Sequence, residues 1–390
     1  MTTAKQGPAF KVGGRLAPPY FVDREEELAR LVHDALSLSQ SNVVIAPRRF
    51  GKTALLRAVE ARVSREMLAA YVSCLGMLRA VDFHDRVVEA ALSAFAKRHG
   101  KARRLLATWR DVLRKPVVGM REVLEEVGGS IEGAGSIRLK FRTREVDEPA
   151  LLAAALDFPE RLAEEWGERI LVILDEFQAL AGLDGHLFSL FKERMESQRR
   201  VVYLFSGSSL GLLTEVFGRE GKSPLYQMVG RLFLGEIARA VVHRYYRDRL
   251  REVHGVEISE GALRRVTEYV GGIPYYFQKL GLELEREIVL RGKKRITTRE
   301  VDRAFVRLLE ELSADFQERW ETRFSEQQRA VLKVLAEGPR TLSEAARALG
   351  IPAPNLTYSL NRLAEAMVLT REERVYRITD RVFAAWLRQL

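Results

Sequence analysis

The segment Ala46-Pro-Arg-Arg-Phe-Gly-Lys-Thr constrains the fold of this 390-residue chain more than any other feature. It follows a short apolar run of strand type at residues 42–46 and precedes a helical pattern that starts at Ala54. A strand, a loop and a helix in this order are the setting in which G-x-x-x-x-G-K-[ST] forms a phosphate-binding loop. Ala46 replaces the first glycine of that pattern, and its Cβ slightly restricts the first turn. A chance Gly-Lys-Thr at a helix start is the alternative, which both flanking patterns disfavour.

Each position of this loop has a chemical task. Gly51 allows backbone N–H groups to wrap the phosphates, and Lys52 reaches oxygens of the β- and γ-phosphates. Thr53 offers a hydroxyl to Mg²⁺, while the N-terminus of its helix faces the anion. We therefore predict ATP or ADP and Mg²⁺ as cofactors, bound by Pro47, Arg48, Arg49, Phe50, Gly51, Lys52, Thr53 and Ala54.

A second motif, Ile170-Leu-Val-Ile-Leu-Asp-Glu-Phe-Gln, indicates a buried strand that ends in two carboxylates. At the end of the strand, Asp175 is expected to hold the Mg²⁺ shell and Glu176 to polarise an attacking water. The alternative is an ordinary strand end with exposed acids, which the phosphate loop disfavours. Because the pair Asp-Glu favours hydrolysis over binding alone, we predict an ATPase with Lys52 and Glu176 as catalytic residues.

Three further side chains are candidates for catalysis. Residues 201–209 are an apolar run that ends in Ser-Gly-Ser-Ser. If this strand lies between the two motif strands, Ser206 or Ser208 could orient water near the γ-phosphate; a turn of small residues is the alternative. Arg231 stands where a subunit could offer a guanidinium to the γ-phosphate of a neighbour, in an assembly that nucleotide could control. A solvated surface arginine is the alternative for Arg231.

Taken together, these residues resemble the archaeal ATPase branch of the AAA+/STAND P-loop proteins. The resemblance covers about residues 18–390 and rests on six segments in order, which are Tyr20-Phe-Val-Asp-Arg-Glu-Glu-Glu-Leu, Pro47-Arg-Arg-Phe-Gly-Lys-Thr, Leu174-Asp-Glu-Phe-Gln, Phe205-Ser-Gly-Ser-Ser, Gly271-Gly-Ile-Pro and Tyr376-Arg-Ile-Thr-Asp-Arg-Val-Phe. It implies that Phe21 and Val22 flank the adenine and that Pro274 closes over the base. Origin-recognition ATPases, which are relatives in architecture, carry a lid arginine near Pro274. The segment Gly-Gly-Ile-Pro-Tyr-Tyr-Phe has none.

The strand patterns and the resemblance together predict an α/β fold. Apolar strands separated by helical stretches are typical of a parallel sheet with helices on both faces. The resemblance adds that this is an ASCE/AAA+-type P-loop domain, followed by a helical lid and a C-terminal winged helix. We place the ATPase domain at residues 1–236, with a helical and strand insertion at about 76–168, the lid at 237–316 and the winged helix at 317–390. Within the insertion, residues 81–115 look helical and residues 128–141 look like a Gly-rich turn followed by a strand.

Two regions could hold nucleic acid. Residues 325–378 have the pattern of a helix-turn-helix with a wing, and the third helix has a polar face suited to phosphates and base edges. DNA contact and protein docking are both open for this module. Residues 97–121 contain nine Lys or Arg and one acid, which predicts either a solvated helical face or a groove for a phosphate backbone. The candidate nucleic-acid ligands are Asn355, Tyr358, Asn361, Arg362, Arg103 and Arg104.

Composition narrows the classes of function. The chain has 63 Lys and Arg against 53 Asp and Glu, a net charge of +10 that favours polyanionic partners. Arginine supplies 50 of these basic residues, and few thermolabile residues are present, which is compatible with a thermophile. The only cysteine is Cys74, which excludes a disulfide framework. The sequence shows no signal peptide or membrane-spanning run, so we expect a cytoplasmic protein without membrane contact.

We therefore predict an ATP-binding and ATP-hydrolysing nucleotide switch or motor that acts on DNA through its winged helix and basic surfaces. The alternative is a signalling or scaffold ATPase whose winged helix binds a protein partner. A degenerate phosphate loop that binds nucleotide only structurally is a third reading, and the intact Lys52, Thr53, Asp175 and Glu176 argue against it.

Overall fold

The computed structural model describes residues 7–14, 17–99, 126–132, 136–142, 148–183, 186–208, 216–217 and 223–390. Arg103, Arg104 and the basic stretch from residue 100 onwards lie outside these ranges. The first part of the chain contains α1 (Glu25–Ser37), β1 (Ser41–Ile45), α2 (Lys52–Val63), β2 (Leu68–Ser73), α3 (Ala80–His99), β3 (Glu126–Glu132), β4 (Ser136–Arg142), α4 (Glu148–Trp166), β5 (Ile170–Asp175), a 3₁₀ helix (Phe177–Gly182), α5 (Leu187–Ser197), β6 (Val201–Gly207) and β7 (Val229–Phe233).

Five parallel strands form the central sheet in the order β2-β5-β6-β1-β7. Their apolar residues are needed because both faces of the sheet are covered, and every residue of β5 is buried. β6 lies between β1 and β5, which is the arrangement on which the prediction for Ser206 and Ser208 depended. The register pairs Ile45 with Gly207 and Leu174 with Phe205, so the phosphate loop, Asp175 and Ser206 meet at one edge of the sheet.

Two cores cover the sheet. On one face, α3, α4 and α5 pack through buried residues such as Phe83, Leu152 and Phe191. On the other face, α1 and α2 belong to a core that continues without a break into the C-terminal half of the chain. The predicted α/β class, with a parallel sheet between two helical layers, is confirmed.

Backbone geometry decides where two helices begin. Gly51 has φ 88° and precedes the first residue of α2, so the glycine allows the sharp turn out of the loop. Asp23 is a residue type that favours helix caps, but it does not cap α1. Asp23 and Arg24 both have left-handed backbone angles, with φ of 64° and 77°, and α1 begins at Glu25 without a side-chain cap.

In the described residues, the predicted insertion contains α3, the hairpin of β3 and β4, and α4. α3 ends at His99 in the described part of the chain, and β3 pairs with β4 in an antiparallel register from Glu126–Arg142 to Glu132–Ser136. The Gly-rich segment expected to form only a turn is therefore itself a strand, because its backbone pairs along the whole length of β4.

The second half of the described chain is mostly helical. It contains α6 (Arg239–His254), β8 (Glu257–Ile258), α7 (Glu260–Val270), α8 (Pro274–Arg291), β9 (Arg295–Ile296) and α9 (Thr298–Arg323). The boundary predicted at residues 316–317 falls inside α9, which runs on without interruption. No helix among the described residues is long and apolar enough to cross a membrane.

A winged helix follows α9. It consists of α10 (Glu326–Ala336), β10 (Arg340–Thr341), α11 (Leu342–Leu349), α12 (Ala353–Glu365), β11 (Leu369–Glu372), β12 (Val375–Ile378) and α13 (Arg381–Leu387). Capping boxes at Ser325 and Thr341 begin α10 and α11, and the hairpin of the wing turns at Glu373. The module is joined to α9 by aromatic packing of Phe316 against Phe383 and Trp386.

Candidate nucleotide-binding site

Lys52 is the first residue of α2 and lies under the phosphate loop. Its ammonium donates hydrogen bonds to the carbonyl oxygens of Ala46, at 2.8 Å, and Pro47, at 3.0 Å. Burial lowers the pKa of Lys52 to about 8, although the nearby Glu176 and Asp175 favour its charged form. A buried ammonium is stable only with compensating negative charge, which a phosphate group would supply.

Asp175 accepts hydrogen bonds on both of its carboxylate oxygens. The hydroxyl of Thr53 donates to Oδ2 over 2.8 Å, and the hydroxyl of Tyr71 donates to the same oxygen. The hydroxyl of Ser206 donates to Oδ1, and so does the backbone N–H of Glu176 at 3.1 Å. The hydroxyl of Thr53 and the carboxylate are adjacent oxygen ligands of the type that Mg²⁺ prefers, so this donor set fits the ion.

Glu176 is held by two neutral donors. Its Oε2 accepts a hydrogen bond from the hydroxyl of Ser208 at 2.9 Å and another from the side-chain amide of Gln178. The amide of Gln178 also lies 3.3 Å from the Ser208 hydroxyl, while its carbonyl oxygen is buried without a partner among the described residues. The structure thus brings the candidates Lys52, Glu176, Ser206 and Ser208 to one end of the sheet.

A cavity of about 640 Å³ opens beside this cluster. Its walls come from the phosphate loop, from the ends of the strands, from the last turns of α9 and from the winged helix. The side chains that matter below are those of Arg48, Gln178, Arg319, Arg323 and Thr379. The cavity therefore connects the predicted phosphate site with the C-terminal module.

Arg49 has a different environment from its neighbours in the loop. Its guanidinium donates to the hydroxyl of Tyr276 and lies 3.4 Å from the carboxylate of Asp380 and 3.5 Å from that of Asp315. It also lies 5.2 Å from the centre of the Phe316 ring. Since the side chain is engaged by the lid and the winged helix, only the backbone of Arg49 remains for the predicted contact with phosphates.

The lid begins directly against the phosphate loop. Pro274, the first residue of α8, lies 3.6 Å from the position that a Cβ on Gly51 would occupy. The backbone N–H of Tyr275 donates to the carbonyl of Arg49 over 3.3 Å. Pro274 is thus beside the loop, and its closure over an adenine stays a prediction.

The other predicted nucleotide-binding residues differ in burial. Pro47 is half-buried, Phe50 is buried, and Ala54 lies half-buried in the first turn of α2. Phe21 and Val22 are half-buried against the core. Val22 also lines a smaller cavity of about 270 Å³ together with residues of α6.

Arg231 is exposed on β7, which lies at one edge of the sheet, opposite to β2. Its guanidinium donates to the backbone carbonyl of Phe217 in the same chain. Its backbone pairs in register with Val43 of β1. A role toward a neighbouring subunit stays a prediction.

The polar face predicted for the third helix of the winged helix is free of packing. Leu356, Leu360 and Leu363 of α12 are buried. The four candidate DNA ligands of the same helix, Asn355, Tyr358, Asn361 and Arg362, are all exposed, and Tyr358 is 72% exposed.

Several residues of the site were not singled out from the sequence. Gln178 belongs to the Asp-Glu-Phe-Gln segment but had no role assigned to it. Tyr71 contacts Asp175 because β2 and β5 are neighbouring strands. The sequence pattern of β2 could indicate this contact only if the order of the strands were known. Arg319 and Arg323 carry no local signal, because nothing in the sequence of α9 shows that its last turns face the phosphate loop.

Comparisons with known proteins agree with this geometry. The family model described as an ATPase domain predominantly from Archaea matches residues 21–280, and a helix-turn-helix domain model matches residues 325–372. No curated protein matches the chain.

Two solved structures are similar over almost the whole chain. The Walker-type ATPase of Pyrococcus abyssi has a TM-score of 0.69 at 20% identity, covering 97% of this chain and 99% of its own. The ORC2 protein of Aeropyrum pernix, solved in ADPNP–ADP complexes, has a TM-score of 0.59 at 14% identity, with 96% of each chain covered. At such identities the likeness shows the fold, and the family model covers more than half of the sequence. The chain therefore belongs to the archaeal ATPase family and combines an ATPase domain with a C-terminal helix-turn-helix domain.

Proposed function

We propose that this protein is a Mg²⁺-dependent ATPase whose nucleotide state sets the position of a DNA-binding winged helix. The observation that carries the proposal is the position of Arg49. Its backbone belongs to the phosphate loop, while its side chain contacts Tyr276 of the lid and Asp380 of the winged helix. A change in the loop on nucleotide binding therefore acts directly on the contact that holds the winged helix.

The chemistry assigns a role to each member of the cluster. Lys52 would pair with the β- and γ-phosphates in place of the backbone carbonyls that it now contacts. Thr53 and Asp175 would hold Mg²⁺, with Tyr71 and Ser206 fixing the orientation of the carboxylate. Bound Mg²⁺ would neutralise charge on the phosphate oxygens. The ORC2 neighbour, described in ADPNP–ADP complexes, supports an adenine nucleotide as the ligand.

Glu176 would accept a proton from the attacking water. Its carboxylate accepts hydrogen bonds from the Ser208 hydroxyl and the Gln178 amide, and both donors hold it in position. Ser206, at the hub around Asp175, would keep the backbone of Glu176 in place, since its Oγ lies 3.2 Å from the Glu176 N–H.

DNA is the proposed partner because the exposed face of α12 carries the side chains suited to it. Asn355, Asn361 and Arg362 can bond phosphates or base edges, and Tyr358 can stack or donate. The turn of the wing adds Arg374, which is also exposed. These groups are on the module that the Arg49 contact holds.

One experiment tests the two halves of the proposal together. ATP turnover and affinity for duplex DNA are measured for the wild type and for Lys52→Ala, each with no nucleotide, with ADP and with a non-hydrolysable ATP analogue. We expect the wild type to hydrolyse ATP and to change its DNA affinity between the nucleotide states, and Lys52→Ala to do neither. If nucleotide binds and DNA does not bind at low salt, the winged helix has a protein partner and the DNA half fails. Turnover by Lys52→Ala at the wild-type rate would reject the nucleotide site.

A further inference from the structure

Two arginines on the cavity wall have no counter-ion among the residues that the structure describes. Neither Arg48 of the phosphate loop nor Arg323 at the end of α9 forms an ion pair or hydrogen bond with any residue that the structure describes. Both line the cavity of about 640 Å³. Most other arginines near them are paired: Arg49 with Asp380 and Asp315, and Arg319 with Asp380 at 3.9 Å.

The position of Arg323 follows from the helix that carries it. Asp315, Arg319 and Arg323 are four residues apart, so they lie on one face of α9. The first of them contacts Arg49, and the second stacks on Phe383 with its guanidinium 4.7 Å from the ring centre. Because these two contacts fix the rotation of α9, its last turn presents Arg323 to the phosphate loop.

The two free guanidinium groups repel each other. Burial, and next the charge of Arg323, lower the pKa of Arg48, while the charge of Glu176 acts in the opposite direction. Like charges directed at one space are costly unless an anion occupies it. Arg48 is therefore close enough to interact electrostatically with both Arg323 and Glu176.

Two polar atoms on the cavity wall also lack partners. The hydroxyl oxygen of Thr379 and the side-chain oxygen of Gln178 are buried without a hydrogen bond to any described residue. Gln178 donates its amide to Glu176, so its unpartnered oxygen belongs to the same side chain that holds the proposed base. Buried polar atoms of this kind usually have a ligand or water as a partner.

We propose that Arg323, together with Arg48, binds the γ-phosphate of a nucleoside triphosphate held in the same chain. This inference rests on the proposed nucleotide site and adds the group that distinguishes ATP from ADP. A guanidinium pair suits a terminal phosphate because each can donate two hydrogen bonds to its oxygens. It supplies from α9 the cation that the lid segment Gly271-Gly-Ile-Pro lacks.

In this arrangement, the position of α9 depends on whether a γ-phosphate is bound. α9 is continuous from the lid to the winged helix, and α10 begins three residues after Arg323. A phosphate that binds Arg323 would therefore shift the end of α9 and, with it, the start of the winged helix. ADP, which ends at the β-phosphate held by Lys52, would leave Arg323 without its partner.

The test compares affinities for a β,γ-imido ATP analogue and for ADP by calorimetry. The variants are Arg323→Ala and, as a matched control, Arg299→Ala, which removes an exposed arginine from the opposite end of α9. We expect Arg323→Ala to weaken the triphosphate by about 10- to 100-fold and ADP by less than about threefold, as for the loss of hydrogen bonds to a charged group. Arg299→Ala should change neither, and both variants should melt at the wild-type temperature because the two side chains are exposed.

Other results overturn the inference in distinguishable ways. An equal loss for both nucleotides, or no loss for either, would remove Arg323 from the γ-phosphate site while leaving the proposed function intact. Weaker DNA binding by Arg323→Ala with unchanged nucleotide affinities would assign the cavity to a nucleic-acid phosphate instead. A wild type that binds neither nucleotide would remove the proposed function and this inference with it.

Discussion

The guanidinium of Arg49 lies 3.4 Å from the carboxylate of Asp380, a residue 331 positions further along the chain. Arg49 belongs to the phosphate loop and has a left-handed backbone angle, φ 75°. Asp380 caps α13 of the winged helix by accepting a hydrogen bond from the N–H of Phe383. One ion pair therefore joins the nucleotide loop to the start of the last helix.

Arg49→Met should lower the free energy of unfolding by about 1–3 kcal/mol, the scale for removing one partner of a partly buried charged pair. The affinity for ATP should change as well, because in the proposed function nucleotide binding acts on this contact and the coupling is reciprocal. Urea unfolding and nucleotide titration measure the two quantities. Asp380→Asn should behave alike, and the double variant should cost less than the sum of the two. Additive losses would show that the two side chains do not act as a pair.

Nucleotide binding should depend on pH through Lys52. Its pKa is about 8 in the folded protein, below the ordinary 10.5, because burial disfavours the charge. A bound triphosphate favours the ammonium, so binding takes up a proton above pH 8 and affinity should fall by up to about tenfold per pH unit between pH 8 and 10. Calorimetry in two buffers of different ionisation enthalpy at pH 8.5 detects this uptake. Proton uptake near zero would mean that Lys52 is already charged there.

Glu176→Gln should retain ATP and lose turnover by roughly 10²-fold or more, because an amide cannot accept the proton of the attacking water. The variant keeps the size of the side chain and one acceptor for Ser208. Single-turnover hydrolysis and nucleotide affinity separate the two effects. Wild-type turnover would require a different base.

Tyr71→Phe should raise the Mg²⁺ concentration required for nucleotide binding by about 10-fold or more. Groups that orient a ligating carboxylate commonly change metal affinity by this factor. Burial and the charge of Asp175 raise the pKa of Tyr71, so its hydroxyl stays a donor to the carboxylate. Nucleotide affinity is measured across Mg²⁺ concentrations, with Tyr358→Phe as a control that removes an exposed hydroxyl elsewhere. An unchanged Mg²⁺ midpoint for Tyr71→Phe would show that Thr53 and Ser206 are sufficient.

Tyr358→Ala combined with Arg362→Ala should weaken DNA binding without changing ATP affinity. Tyr358 and Arg362 are both exposed, and neither lines the cavity beside the phosphate loop. Loss of one phosphate contact should flatten the dependence of log affinity on log salt by about 0.9 for a duplex. Charge reversal at Arg103 and Arg104 is the comparison, and the larger loss identifies the main surface. If neither pair of changes affects binding, DNA is held elsewhere or not at all.

Much of this architecture could be predicted because it is encoded locally. The phosphate loop, the Asp175–Glu176 strand end and the capping boxes of the winged helix each occupy a few adjacent residues. The roles of Gln178 and Tyr71 could not be predicted from local sequence, because they depend on which strands are neighbours. The link from Arg49 to Asp380 depends on how the lid folds back over the loop, and no spacing in the sequence indicates it. Asp23 shows that a favourable residue type alone does not decide local structure, because the backbone around it is left-handed and α1 begins without a side-chain cap.

The continuity of α9 has a practical consequence for anyone exchanging modules between relatives. The indole N–H of Trp386 donates to the hydroxyl of Ser313 over 3.1 Å, and Phe383 packs on Phe316, so the last helix of the winged helix packs directly on α9. A winged helix taken from another protein and joined after residue 323 would pack against a surface of α9 that is complementary to a different module. Chimaeras will fold well only if the graft point lies upstream of Ser313, and the donor must then also supply the positions of Asp315, Arg319 and Arg323.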